Sequence, residues 1–141
     1  MNRRWLYLMV VVACVGCKYF LPMHPKIGIE VQQDGWGGYV LTFTNCLNDA
    51  ELPIDEVEVY NAGEGQKGGV PICQLVSGEP GRHPLKVWKY GKAPTGYELK
   101  KCAPLTPGKT YDAHASGSGI GVRRFALAKD GKVSAQGSKC D

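Results

Sequence analysis

Apolar and polar residues alternate with a period of two along much of the chain after residue 26. Ile27, Ile29 and Val31 alternate with a glycine and a glutamate, which is typical of a half-buried β-strand. The glycine-rich segment 34–38 and the alternation over 39–44 predict that the first two strands form a hairpin. Further strands are predicted at 56–60, 70–76, 85–90, 97–102, 111–116 and 122–128.

Composition supports a single all-β domain. The chain has 141 residues, of which 43% are hydrophobic, and this suits one globular domain. Its 19 glycines and 9 prolines separate short apolar runs, which favours strands joined by turns over a helical bundle. Seven or eight strands at this spacing predict a two-sheet sandwich or a barrel.

One segment favours the sandwich. Leu105, Pro107 and Tyr111 have the spacing Leu-x-Pro-x-x-x-Tyr, which resembles the tyrosine corner of fibronectin type III domains. The resemblance covers about residues 85–130, and it implies an immunoglobulin-like or fibronectin type III-like antiparallel β-sandwich. It also implies that the Tyr111 hydroxyl bonds to the backbone near Leu105 and that Trp88 lies between the sheets. It implies no function, because this architecture hosts many unrelated roles.

The first 17 residues have the pattern of an export signal. Arg3 and Arg4 precede an apolar run over 5–13, which is too short to span a hydrocarbon core of about 30 Å. Two segments that follow, Val11-Val12-Ala13-Cys14 and Cys14-Val15-Gly16-Cys17, resemble the lipobox of bacterial lipoproteins. An ordinary secretory signal is the alternative. We predict a lipoprotein signal peptide at 1–17, lipidation at Cys17 or alternatively Cys14, a tether at 18–25 and a β-sandwich domain at 26–141.

The lipobox resemblance implies a location and a first partner. Lipoproteins of this kind carry acyl chains on the modified cysteine, and several buried chains make membrane anchoring nearly irreversible. No aspartate follows Cys14 or Cys17, so the inner-membrane retention signal is not matched. We therefore expect a lipid-anchored protein of the cell envelope, at the periplasmic face of the outer membrane. The run from Leu85 to Leu105 also resembles small uncharacterised bacterial lipoproteins.

The four remaining cysteines predict two disulfides. Cys46, Cys73, Cys102 and Cys140 form an even set in a small exported domain, where disulfides persist. Of the three possible connectivities we favour Cys73 with Cys102, because each ends an apolar run, and this leaves Cys46 with Cys140. Zinc binding is the alternative, but the cysteines lack C-x-x-C spacing and the histidines are scattered. We expect no metal and no cofactor.

Charge is unevenly distributed along the chain. Loss of Arg3 and Arg4 with the signal peptide leaves 15 basic and 13 acidic residues, which argues against nucleic-acid binding. Residues 27–65 hold eight acids and no lysine or arginine, whereas 66–140 hold thirteen bases and four acids. One interpretation is pairing of opposite charges across strands. The other is a basic face that steers an acidic partner or lipid headgroups, formed by Lys86, Lys89, Lys92, Lys100 and Lys101.

Catalysis is not expected. Asp112 and His114 are predicted on one side of a strand, with Ser116 and Ser118 beyond them, but neighbours on an exposed strand supply no oxyanion hole and no constrained nucleophile. The main hypothesis is a non-enzymatic module that binds an unidentified envelope protein or has a structural role. The sequence leaves its oligomeric state open.

Two other functions are considered. Residues 116–121 and Arg123 resemble the Ser-Gly loop and arginine that small periplasmic lysozyme inhibitors insert into their target, which suggests an inhibitor or immunity protein against a hydrolase or toxin. A cell-wall carbohydrate-binding module would use exposed aromatic residues as a stacking platform, drawn from Trp36, Tyr39, Trp88 and Tyr90. Across these hypotheses the candidate binding residues are Lys86, Lys89, Trp88, Tyr90, Ser118 and Arg123.

Overall fold

The computed structural model describes residues 24–134 and 139–140, which form eight β-strands. The predicted signal peptide, with Cys14 and Cys17, and most of the predicted tether lie outside these residues. No helix in the described part of the chain is long and apolar enough to cross a membrane. The strands are β1 (Ile27–Gln33), β2 (Tyr39–Asn45), β3 (Ile54–Asn61), β4 (Cys73–Ser77), β5 (Val87–Lys89), β6 (Tyr97–Cys102), β7 (Thr110–Gly117) and β8 (Ile120–Ala126).

The strands form two antiparallel sheets that share one core. The first sheet has the order β1-β2-β5, and the second has the order β6-β4-β3-β7-β8. Buried side chains alternate along the strands, and those from both sheets belong to one hydrophobic cluster. This confirms the predicted all-β, antiparallel β-sandwich, and its eight strands agree with the predicted seven or eight.

Trp88 is one of the largest buried side chains of the core. Its side chain is 1% exposed, and its Nε1–H donates a hydrogen bond to the carbonyl oxygen of Lys92 at 2.7 Å. The indole therefore satisfies its one polar group while its ring fills the space between the sheets. The predicted core role of Trp88 is confirmed. The expectation that Trp88 also contacts a ligand is corrected, because an enclosed side chain offers no surface to a partner.

The tyrosine corner forms as predicted. Tyr111 is buried in β7, and the backbone N–H of Thr106 donates a hydrogen bond to the Tyr111 hydroxyl oxygen at 2.8 Å. This bond links the start of β7 to the chain segment next to Leu105. The hydrogen bond thereby fixes the segment between β6 and β7 to the start of β7.

Both predicted disulfides are confirmed. Cys73 and Cys102 lie directly opposite each other on β4 and β6. Cys46, which follows β2, is bonded to Cys140 across a sequence separation of 94 residues. Lys26 donates a hydrogen bond from Nζ to the carbonyl oxygen of Cys140 at 2.8 Å, so the beginning of β1 and the C-terminal cysteine lie together.

Strand directions define two ends of the sandwich. The terminal end carries residues 24–26, the disulfide of Cys46 and Cys140, and the β7–β8 turn. The distal end, where β1 finishes, carries the β1–β2 turn at 34–38 and the loop that follows β3. Any chain preceding residue 24 thus enters the domain at the end opposite the β1–β2 turn.

Candidate functional site

A fully exposed tryptophan marks the distal end. Trp36 lies at the tip of the β1–β2 turn and is 92% exposed, the highest value among the large hydrophobic residues that the structure describes as exposed. Tryptophan is on average a highly buried residue type. It is also enriched among the few residues that supply most of the binding energy at protein interfaces. The Trp36 turn, residues 34–38, is therefore the strongest candidate contact surface.

Asp34 holds the backbone of the Trp36 turn. Its Oδ1 accepts hydrogen bonds from the N–H of Trp36 at 2.9 Å and of Gly38 at 2.7 Å. Its Oδ2 lies 3.1 Å from Lys89 Nζ on β5. The bond from Trp36 lowers the pKa of the Asp34 carboxyl, burial opposes this, and the bond from Gly38 and the charge of Lys89 lower it further. The carboxylate is therefore charged at neutral pH, and the turn is preorganised.

The Trp36 turn also projects from the body of the domain. Gly37 has a φ of +81°, a conformation that favours glycine. A side-chain carbon added at Gly35 or Gly37 would meet no atom within 4 Å, so both residues face open space. The sequence predicted a turn here. Asp34 was missed as a functional residue, although an aspartate two residues before a tryptophan in a glycine-rich turn is a recognisable signal for a side-chain-braced turn.

The lysines of the predicted basic face come from both sheets. Lys89 lies on β5 of the first sheet and Lys86 directly precedes that strand, whereas Lys100 and Lys101 lie on β6 of the second. Lys86 Nζ lies 2.6 Å from Glu51 Oε1 and Lys89 pairs with Asp34, so acids from the first half of the chain balance both. Opposite charges from the two halves of the chain therefore pair, but Asp34, Glu51 and Lys86 lie in turns and loops, so these pairs do not join two strands. Such pairs contribute little stability at an exposed surface.

The proposed aromatic platform is not assembled. Tyr39 is buried and its hydroxyl donates to the carbonyl oxygen of Gly131 at 2.9 Å. Tyr90 is half-buried, and its hydroxyl donates to the carbonyl oxygen of Ala103 at 2.6 Å. With Trp88 in the core, Trp36 is the one member of the four that is fully exposed. The expected stacking platform is therefore corrected to a single exposed tryptophan.

Ser118 lies at the opposite end from Trp36. Its backbone N–H donates a hydrogen bond to the carbonyl oxygen of Pro53 at 3.1 Å. The N–H of Ile120 donates to the carbonyl oxygen of Pro25 at 3.2 Å. These bonds pack the β7–β8 turn against neighbouring segments instead of leaving it as a protruding loop. Arg123 follows on β8 and is partly buried. The sequence-predicted candidates therefore do not converge on one site.

Asp112 has a structural environment. It is 3% exposed, although an exposed position was expected, and its two oxygens accept bonds from Arg124 at 2.8 and 3.0 Å. The N–H of Gly63 also donates to its Oδ2 at 2.8 Å, which attaches the loop after β3 to β7. His114 packs its ring against Tyr60, with centroids 5.1 Å apart. The carboxylate thus orients Arg124 and a loop, not the His114 ring.

We expect Asp112 to make stability depend on pH. The hydrogen bond from Arg124 lowers the pKa of Asp112, burial opposes this, and the bond from Gly63 lowers it further. A lowered folded-state pKa stabilises the domain above the unfolded-state value of about 3.9, and this contribution is lost as pH falls through the folded-state value. Asp112→Asn should therefore reduce stability at pH 7 by about 1 kcal/mol. In urea unfolding at pH 7 and pH 2.5, the difference from wild type should shrink at the lower pH.

A matched control uses Asp49→Asn, since Asp49 is exposed and forms no ion pair with any described residue. This variant should follow wild type at both pH values. An Asp112→Asn variant as stable as wild type at pH 7 would contradict the structural role.

No described group of three or more His, Cys, Asp or Glu side chains is placed to hold a metal ion. Comparison of the chain with known protein families, curated proteins and solved structures found no match. What the fold and the site define is a disulfide-bonded β-sandwich that presents one tryptophan on a braced turn. The function is accordingly inferred from the sequence and the surface of this chain.

Proposed function

We propose that this protein is an envelope-anchored lipoprotein whose β-sandwich is a non-enzymatic protein-binding module. The observation that carries the proposal is the Trp36 turn, which holds a 92% exposed indole on a backbone braced by Asp34. A preorganised turn loses little conformational entropy on binding, and an indole supplies a large apolar contact area. Both properties suit insertion of Trp36 into a pocket on a folded partner.

The sequence supports the anchoring part of the proposal. Arg3, Arg4, the apolar run and Cys17 form the lipobox-like pattern, with Cys14 as the alternative lipidation site. The two disulfides fit an oxidising compartment such as the periplasm. Because residue 24 lies at the terminal end, the Trp36 turn would face away from the anchoring membrane, here the outer membrane.

The lipidation site is testable by mass spectrometry of the intact protein. The measured mass should include acyl chains in wild type, and Cys17→Ser should abolish this acylation. Loss of acylation in Cys14→Ser, with acylation retained in Cys17→Ser, would instead assign the lipidation to Cys14.

The partner contact is testable by cross-linking in cells. A photoreactive benzoylphenylalanine at position 35, which faces open space and leaves Trp36 in place, should cross-link the full-length chain to one envelope protein. The same residue at position 120 is the matched control, because Ile120 is also exposed, at 66%, but lies at the terminal end. We expect that adduct to be absent from the position-120 sample. Equal adducts at both positions would argue against a specific contact at the Trp36 turn.

Competition then measures the contribution of the indole. Unlabelled wild-type protein, added before irradiation, should lower the yield of the cross-link, and Trp36→Ala should do so on the order of 30-fold less effectively, as for an interface residue worth about 2 kcal/mol. Trp36→Ala should fold normally, because the Trp36 side chain has almost no contact with the domain. Equal competition by the two proteins would exclude the indole as the main contact.

A second candidate is an inhibitor or immunity protein against a periplasmic hydrolase or toxin. The observation that favours it is the projecting, braced turn, because an inhibitor needs a rigid segment that enters a cleft. If the protein is an inhibitor, Trp36 would enter the target's cleft, in place of the Ser-Gly loop that carries Ser118. Stoichiometric loss of the partner's enzymatic activity with wild type, but not with Trp36→Ala, would favour inhibition over simple binding.

A further inference from the structure

A cleft of about 330 Å³ opens beside β2 at the terminal end. Its floor is apolar and consists of core side chains, including Phe43, Ile54 and Leu85. Its walls are the loop that follows β2 and the segment that leads into β5. A volume of this size lies in the range typical of small-molecule sites.

The cleft is a consequence of unequal strand lengths. β1 pairs with β2 along its whole length, to Asn45, but β5 pairs only with Val40, Leu41 and Thr42. A last bond runs from the N–H of Phe43 to the carbonyl oxygen of Lys86, at 2.8 Å. Beyond it, the chain preceding β5 leaves β2 for the second sheet, where Pro84 bridges to Pro53. Among the residues that the structure describes, this edge of β2 therefore has no neighbouring strand at the terminal end of the domain.

Hydrogen bonds fix the rim of the cleft. Asn45 donates from Nδ2 to Asn48 Oδ1 at 2.9 Å and to the carbonyl oxygen of Ala50 at 3.3 Å. The N–H of Ala50 in turn donates to Asn48 Oδ1 at 2.8 Å. The disulfide of Cys46 anchors the start of the same loop. The rim is therefore formed before any ligand arrives, which lowers the entropy cost of binding.

The rim carries one unbalanced negative charge. Glu51 is paired with Lys86, with 2.6 Å between Oε1 and Nζ. Asp49 also lines the cleft but forms no ion pair with any described residue. A cationic group would be attracted to this carboxylate, while an apolar body would bury surface against the floor. We propose that the cleft binds a small amphiphilic cation, that is, an aromatic or aliphatic body bearing one positive charge.

This site is independent of the Trp36 turn, which lies at the other end of the domain. The proposal is tested with two probes that share a phenyl ring and differ in charge, 2-phenylethylammonium and 3-phenylpropanoate. Each is titrated into the ¹⁵N-labelled full-length chain at low salt, and binding is followed by amide chemical shifts. The cation should bind on the order of tenfold more tightly than the anion, because one exposed charge attracts the first and repels the second. The saturable shifts should centre on Asn48, Asp49, Ala50 and Val87.

Two variants that each remove one negative charge distinguish an effect of the cleft from an effect of the protein's overall charge. Asp49→Asn should bring the two probes to within about twofold of each other, because it removes the carboxylate that distinguishes them. Glu64→Gln removes a carboxylate at the distal end and should leave the preference for the cation unchanged. Absence of saturable shifts at the cleft, equal binding of the two probes by wild type, or a preference that survives in Asp49→Asn would each overturn the proposal.

Discussion

Replacement of both Cys46 and Cys140 by alanine should lower the free energy of unfolding by about 4 to 5 kcal/mol. The bond closes a loop with a sequence separation of 94 residues, so its loss releases a large conformational freedom in the unfolded chain. It also holds the C-terminal residues against β1, where a side-chain carbon added at Gly28 would lie 2.9 Å from Cys46 Sγ. Chemical unfolding of the full-length chain at pH 7, under non-reducing conditions, measures the change.

The single variants provide the control. Cys46→Ala and Cys140→Ala each break the same loop, so each should lose most of the stability that the double variant loses. A double variant within about 1 kcal/mol of wild type would show that loop closure contributes little to this domain. A large loss in one single variant alone would locate the effect in side-chain packing instead.

Trp88→Ala should destabilise the domain by about 3 to 5 kcal/mol, which is typical of a large aromatic residue removed from a core. The side chain is 1% exposed, and its truncation leaves a cavity between the two sheets and an unpaired carbonyl oxygen at Lys92. The same unfolding measurement tests this. Trp36→Ala is the matched control, since its loss should change stability by less than about 0.5 kcal/mol.

The two tryptophans therefore separate stability from binding. We expect Trp88→Ala to unfold at a lower denaturant concentration, whereas Trp36→Ala should unfold at the same concentration as wild type and bind the partner about 30-fold more weakly. A Trp88→Ala variant that loses less than about 1 kcal/mol would mean that the sheets close around the deleted ring. In that case Trp88→Phe, which keeps most of the volume, would be expected to match wild type closely.

Local sequence patterns predicted most of the fold. The period of two over β1 and β2 identified a hairpin because inward and outward side chains must alternate on a sheet with one buried face. The Leu105-to-Tyr111 spacing identified the corner because a single hydrogen bond within that segment closes it. The disulfide pairing followed from cysteines at the ends of two strands that prove to be neighbours, β4 and β6.

Features that depend on distant segments were not predicted. Asp112 is buried because Arg124, on the next strand, and Gly63, from a loop 49 residues away, bond to the same carboxylate. The lysines separate onto two sheets because β5 and β6, although consecutive in the chain, join different sheets. The cleft depends on where β5 leaves β2, which no periodicity in either strand encodes. The exposure of Trp36 depends on whether its ring folds back over the sheet, which the turn sequence alone leaves open.

The path of β1 has a mechanical consequence. A single strand of seven residues connects the terminal end directly to the Trp36 turn, and each of its residues is paired with β2. If a partner held at Trp36 and an anchor before residue 24 were pulled apart, the load would run along this strand. The pull would then run along the covalent backbone of β1, which is already extended, so the hydrogen bonds to β2 would bear little of the force. The domain would transmit tension between its two ends through one short segment, and most of the chain would bear no direct load.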